Sequence, residues 1–148
     1  MAMSLPKRST SAGDVLIYRH PLLVRIAHWV SALCMFVLFL SGLQILNAHP
    51  AFYWGDASTF AEPWVAIVAS ENDAAELRGE LHIGSARFDT TGFLGASSVE
   101  DGPMRARAMP SWLTVPSYLD LGAGRAWHFF FAWLLVITGA TYLGTSRL

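Results

Sequence analysis

Arg25-Ile26-Ala27-His28-Trp29 begins an apolar stretch that continues to Leu46 without another acidic or basic residue. As an α-helix, residues 26–46 would rise roughly 31 Å, which matches a bilayer hydrocarbon core of about 30 Å. A histidine just inside such a helix is costly to place in hydrocarbon. The stretch therefore predicts a transmembrane helix in which His28 has a specific function.

A second stretch opens in the same way, with Arg125-Ala126-Trp127-His128-Phe129. Residues 126–143 carry no charge and would rise roughly 27 Å as a helix. The whole chain is 53% hydrophobic and 14% charged, with a mean hydropathy of +0.39, whereas soluble domains are about 25% charged. This deficit favours two membrane spans over two buried helices of a soluble protein. We expect an all-α membrane protein.

The basic residues predict the orientation of the two spans. Four of them precede the first span, which places residues 1–25 in the cytoplasm: Lys7, Arg8, Arg19 and Arg25. Residues 47–125 then form a long external loop, and residues 144–148 a cytoplasmic tail that contains Arg147. We expect a multi-pass protein of the bacterial inner membrane.

The predicted loop is long, and its many aromatic residues argue against disorder. We interpret it as an ordered external cap against the membrane surface, with a short strand or turn within residues 85–92. The formal net charge of −1 argues against a nucleic-acid partner. A single cysteine, Cys34, excludes an internal disulfide framework and a cysteine-based zinc site.

The two span histidines are predicted to lie at opposite faces of the membrane. His28 is in the first turn of one helix and His128 in the first turn of a helix that runs the other way. They would be separated by on the order of 20 Å or more, so they cannot both bind one haem iron. Each would need a partner histidine from another helix. The neighbours in helical projection include small residues that leave room for a macrocycle or for close packing: Ser31, Ala32, Met35, Phe39 and Gly42 for His28, and Phe131, Ala132, Leu135, Gly139 and Tyr142 for His128.

Arg25 and Arg125 each precede a span histidine by three residues. An arginine one turn toward the aqueous phase could pair with a haem propionate. The alternative is positive-inside anchoring for Arg25 and a snorkelling rim charge for Arg125, and the sequence leaves both open. His49 could reach the external site, although a turn role is favoured by the following Pro50.

Several segments together resemble a bacterial di-haem cytochrome b subunit of the hydrogenase and thiosulfate reductase type, the five-sixty-one class. The most specific is the Arg-x-x-His-Trp motif in residues 18–29 (YRHPLLVRIAHW). The others are residues 41–50 (SGLQILNAHP), 53–55 (YWG), 87–92 (RFDTTG), 116–118 (PSY) and 124–131 (GRAWHFFF). The chain ends after its second span, so it resembles the N-terminal half of that family and is expected to be truncated relative to it.

The resemblance implies two helices of a four-helix membrane bundle that carries two b-type haems. It implies that His28 and His128 are axial ligands of different haem irons, and that a further helix supplies the other two ligands. The implied function is electron transfer between the quinone pool and a partner redox subunit, of the molybdopterin or hydrogenase type. The chain would then be a subunit of an oxidoreductase complex and not itself an enzyme. The alternative function is a haem-free membrane anchor whose external loop docks a partner protein.

Overall fold

The computed structural model describes residues 21–55, 62–98 and 102–145 and consists of two long helices with β-structure between them. Helix α1 is Leu22–Leu46 and helix α2 is Leu121–Thr145. Both are long and apolar enough to cross a membrane. The predicted orientation of the spans depends on Lys7, Arg8, Arg19 and Arg147, which lie outside the described residues.

Both helices begin before the uncharged stretches that predict them. Helix α1 starts at Leu22 and α2 at Leu121, so that Arg25 and Arg125 lie in helical turns. Arginine is a good helix former, and a charge marks the edge of an apolar run without ending the helix. The Asp120 carboxylate caps α2 by accepting a hydrogen bond from the Ala123 N–H at 2.9 Å.

The segment between the helices contains two antiparallel sheets. The larger one has strand order β1-β2-β3-β4 and the smaller one pairs β5 with β6. The strands are β1 Ala51–Phe52, β2 Val65–Glu71, β3 Leu77–Ile83, β4 Ala86–Asp89, β5 Ala96–Ser97 and β6 Arg105–Ala106, followed by a 3-10 turn at Ser111–Leu113.

The expected all-α class is therefore wrong for this segment. The short apolar run in β2 is rich in β-branched residues, which favour a pleated sheet. Asn72 closes the β2–β3 turn, because its Oδ1 accepts hydrogen bonds from the Ala74 and Glu76 N–H groups. The strand or turn expected within residues 85–92 is confirmed by β4, which pairs with β3.

The two helices pack antiparallel along a seam of small and polar side chains. On α1 the buried residues are Ala27, Cys34, Ser41 and Gln44, and on α2 Gly124 is buried. A Cβ atom on Gly124 would lie 2.8 Å from Gln44 Cγ. Small residues of this kind let two helix backbones approach closely.

Most large apolar side chains of the helices point away from the seam. Trp29, Phe36 and Phe39 of α1 are exposed, as are Phe130 and Trp133 of α2. Contiguous exposed apolar side chains of this kind are typical of a surface that another protein or a membrane covers.

A polar cluster joins the end of α1 to the segment that precedes α2. The buried Gln44 donates a hydrogen bond from Nε2 to the Tyr118 carbonyl at 2.9 Å and accepts one from Asn47 Nδ2 at 3.1 Å. Asn47 Oδ1 in turn accepts a hydrogen bond from the Met109 N–H at 2.8 Å. These bonds fix the position of the linking segment against the helix pair.

Arg107 organises the same segment from within. Its guanidinium donates hydrogen bonds to the carbonyls of Met109 and Ser117 and to Thr114 Oγ1. Burial lowers the pKa of Arg107 from its ordinary value, since desolvation disfavours the charged form.

The two sheets touch where glycines face each other. A Cβ atom on Gly79 of β3 would overlap the Leu94 carbonyl oxygen and lie 2.6 Å from the Ala96 N atom. Gly95 itself has a positive φ of 81°, which favours glycine. Strand β3 passes so close to the backbone of residues 94–96 that position 79 has no room for a side chain.

We predict that Gly79→Ala destabilises the packing between the sheets by about 1–3 kcal/mol, as overpacking does elsewhere. Faster proteolytic cleavage between the helices, with unchanged helix content by circular dichroism, would check this. Ser85→Ala, at an exposed turn next to β4, is the matched control. Equal cleavage rates in the two variants would contradict the account of the crossing.

Candidate functional site

His128 lies half-buried on the face of α2 that packs against α1. Its Nδ1 atom is 3.0 Å from the Oγ of the fully buried Ser41. A Cβ atom on Gly42 would lie 3.8 Å from His128 Cε1, so the ring sits against the bare backbone of α1. Ser41 and Gly42 thus form the α1 side of a histidine site.

The 3.0 Å contact between Ser41 Oγ and His128 Nδ1 fits either tautomer of the imidazole, and the other hydrogen bonds of Ser41 favour a proton on Nδ1. The single Ser41 hydroxyl proton has backbone acceptors in the Val37 carbonyl at 2.8 Å and the Leu38 carbonyl at 3.2 Å. When the hydroxyl donates to one of these carbonyls, its oxygen is left to accept a hydrogen bond from the Nδ1–H of His128. In a neutral imidazole the other nitrogen, Nε2, keeps a free lone pair. That is the tautomer in which a histidine can bind a metal through Nε2.

His28 lies at the other end of the helix pair, in a cleft between α1 and α2. The cleft has a volume of about 540 Å³, within the range of roughly 300–1,000 Å³ typical of ligand sites. It is lined by Val24, Arg25, Ala27, His28, Trp29 and Ser31 of α1 and by Gly139 and Tyr142 of α2. A Cβ atom on Gly139 would meet nothing within 4 Å, so the α2 wall leaves space opposite His28.

The antiparallel register determines the spacing of the two histidines. His128 lies level with Ser41, which is thirteen residues after His28 along α1. That distance corresponds to roughly 20 Å along the helix axis. Within this pair of helices, the two imidazoles belong to separate sites.

The packing of the two helices assigns some residues to a different histidine from the one they share a helical face with. Gly42 shares a helical face with His28, but it lies beside His128 because the helices run in opposite directions. Gly139 and Tyr142 share a helical face with His128 and line the cleft of His28 for the same reason. Met35 and Phe39, on the face of His28, are exposed.

The two arginines lie where the sequence motif places them, one turn before each histidine. Arg25 lines the cleft beside His28, and Arg125 is exposed near the start of α2. Among the described residues neither forms an ion pair with a carboxylate. Both guanidinium groups therefore remain suited to an anionic group supplied from outside these helices.

The other described histidines belong to the segment between the helices and are not brought to either site. His49 stacks on Tyr53, and its Nε2 lies 3.0 Å from the Tyr53 hydroxyl. His82 on β3 bonds to Glu80 Oε2 at 2.8 Å. In the described part of the chain there is no group of three or more His, Cys, Asp or Glu side chains that could hold a metal ion.

Sequence reasoning missed the role of Ser41 and Gln44. Both are polar residues within an uncharged apolar run, which is the signal that could have drawn attention to them, because polar side chains in such a helix face its partner.

Comparison of the chain with protein-family models, curated proteins and solved structures finds no match.

We predict that Ser41→Ala changes the tautomer of His128. The variant removes the acceptor of the Nδ1–H group, so the proton should redistribute toward Nε2, with a loss of stability of about 1–3 kcal/mol for the unsatisfied group. Nitrogen chemical shifts of the His128 ring in labelled protein measure the tautomer. Ser31→Ala, on the same helix but in the cleft beside His28, should leave these shifts unchanged. Identical His128 shifts in Ser41→Ala would contradict the assignment.

A second prediction concerns acid stability of the β2–β3 hairpin. Hydrogen bonds from His82 and then from Ser70 hold the pKa of Glu80 below its ordinary value, which is about 4.3. A carboxylate with a lowered folded pKa stabilises the fold above the unfolded pKa, and this stability is lost as the pH falls through the folded pKa. We expect hydrogen exchange in the hairpin to accelerate below about pH 4.3, and less steeply in Glu80→Gln. Glu71→Gln, on the same hairpin, is the control and should behave as the wild type. An acid profile of Glu80→Gln that overlays the wild type would exclude this role.

Proposed function

We propose that this chain is a membrane-bound electron-transfer subunit of the cytochrome b type, in which His28 and His128 each bind the iron of a different b-type haem. The proposed partners are membrane lipid, the quinone pool and a redox subunit. In this arrangement α1 and α2 cross the bacterial inner membrane, with the N-terminus in the cytoplasm.

The observation that carries the proposal is the environment of His128. A half-buried histidine in a helix pair of this hydropathy needs a reason. Its Nδ1 is bonded to Ser41 Oγ at 3.0 Å, and no described residue forms a hydrogen bond with Nε2. A histidine held through Nδ1 with a free Nε2 has the arrangement that metal-ligating histidines adopt.

The fit at His28 is of a different kind. The cleft beside it is open at Gly139, and Arg25 lies at its rim one turn from the imidazole. An imidazole with a cation one turn toward the aqueous phase suits a planar group that carries iron at its centre and carboxylates at its edge.

When bound, haem would supply an iron that cycles between two oxidation states. The chain's own residues would orient the two imidazoles, hold the proton of His128 on Nδ1 and place Arg25 and Arg125 near the carboxylates. Because His28 and His128 lie roughly 20 Å apart along the helix axis, each would bind the iron of a separate haem. The second axial ligand of each iron would come from outside these two helices, since none of the described histidines lies opposite either one.

The rival function is a haem-free membrane anchor whose external sheet docks a partner protein. Its support is the exposed aromatic surface of the sheet, which includes Trp54 and Trp64 with ring centroids 5.6 Å apart. Both functions use the same helix pair, so absorption spectroscopy separates them.

We expect the protein purified from membranes in detergent with its bound partners to give a reduced-minus-oxidised spectrum of the b type. His28→Ala and His128→Ala should each lower the haem content by one of two equivalents, because each removes one ligand of one iron. His82→Ala, a histidine of the external sheet, is the matched control. Unchanged spectra and haem content in both ligand variants would refute the assignment. A silent spectrum with retained partner binding would favour the anchor.

A further inference from the structure

The chain between the sheets and α2 folds back along the helix pair before α2 begins. Met109 is held level with the end of α1 by its N–H bond to Asn47 Oδ1. Six residues later the Val115 N–H bonds to the Leu40 carbonyl at 3.3 Å. The chain then returns toward the end of α1, where the Tyr118 carbonyl accepts a hydrogen bond from Gln44 Nε2, and α2 begins shortly afterwards. We call residues 110–120 the re-entrant segment.

The contact with Leu40 places the bottom of this segment at a definite depth. Leu40 lies six residues before the last residue of α1, Leu46. Six residues of helix correspond to roughly 9 Å. If α1 spans the bilayer, Val115 lies below the external end of the apolar stretch and not in the aqueous loop.

The backbone of the re-entrant segment suits that depth. Non-helical backbone at membrane depth is tolerated where it is buried in protein or lines a water-filled cavity. Pro110, Thr114 and Pro116 of the segment are buried against the rest of the chain. The Leu113 and Thr114 N–H groups bond to the carbonyls of Pro110 and Ser111. Pro110 and Pro116 have no N–H to satisfy, and the Ser117 carbonyl accepts a hydrogen bond from Arg107.

The large outward side chains of the segment are apolar or aromatic, while the small Ser117 and the terminal Asp120 are also exposed. Trp112 is 70% exposed, Leu119 60% and Tyr118 58%. Phe93, from the turn before β5, lies beside Trp112 with ring centroids 6.0 Å apart. Asp120, the last residue of the segment, is its only charged residue. Tryptophan and tyrosine are enriched at the level of lipid headgroups, where one end of the ring is apolar and the other is wet.

We propose that the re-entrant segment inserts into the outer leaflet and that phospholipid covers Trp112, Tyr118 and Leu119. The segment would anchor the external sheets at a fixed height above the bilayer. This inference rests on the membrane-spanning part of the proposed function and does not depend on haem.

The test uses nitroxide spin labels on the full chain reconstituted in phosphatidylcholine vesicles. Single cysteines are introduced as Trp112→Cys, Ala74→Cys and Phe36→Cys in a Cys34→Ala background. Ala74 is exposed in the β2–β3 turn, and Phe36 is exposed in the middle of α1. Collisions with oxygen, which concentrates in lipid, are compared with collisions with a water-soluble nickel chelate.

We expect the label at position 112 to favour oxygen several-fold over the label at position 74, and to lie at a shallower depth than the label at position 36. A label at 112 that resembles the one at 74, with 36 in lipid, would overturn the re-entrant segment alone. Protection of 112 from both reagents would show that protein covers it and would also overturn the proposal. A label at 36 in water would overturn the membrane span itself.

A variant that keeps an aromatic ring provides a second measurement in case Trp112→Cys perturbs folding. In the native chain, phospholipids brominated near the headgroup should quench a component of tryptophan emission. That component should be absent in Trp112→Phe. An equal quenched fraction in Trp112→Phe and wild type would contradict lipid contact at this residue.

Discussion

The close approach of α1 and α2 at Gly124 determines where the rest of the described chain lies. With no side chain on Gly124, the Gln44 side chain packs directly against the α2 backbone. The register that this contact sets places Ser41 opposite His128 and Gly139 in the cleft of His28. A larger residue at Gly124 would separate the helices at the point where the Ser41–His128 bond must form.

The same contact connects the helix pair to the segment between the helices. Gln44 uses its amide to hold Tyr118, and through Asn47 it positions Met109. A buried polar network of this kind is stabilising only when its members are satisfied together. The position of the linking segment and the geometry of the His128 site therefore depend on one group of side chains at the end of α1. Under the proposed function, this couples the external face of the protein to the haem site nearest to it.

The sequence predicted the parts of the fold that depend on local composition. The uncharged stretches located both helices, and the opposite directions of the helices predicted the separation of His28 and His128. The sheets were missed because strand pairing is non-local: the crossing of Gly79 with residues 94–96 joins positions that no short-range pattern relates. The Ser41–His128 bond was missed for a similar reason, since helical projection describes each helix alone and the register between helices comes from their contact.

The most direct test of the proposed function is the distance between the two proposed haem irons in the protein purified from membranes with its bound partners. Pulsed electron paramagnetic resonance measures this distance through the dipolar coupling of two ferric centres. Two irons on separate levels of one helix pair predict a separation of roughly 20 Å. A single iron that both His28→Ala and His128→Ala abolish would contradict the account, because it would require both histidines to act at one site.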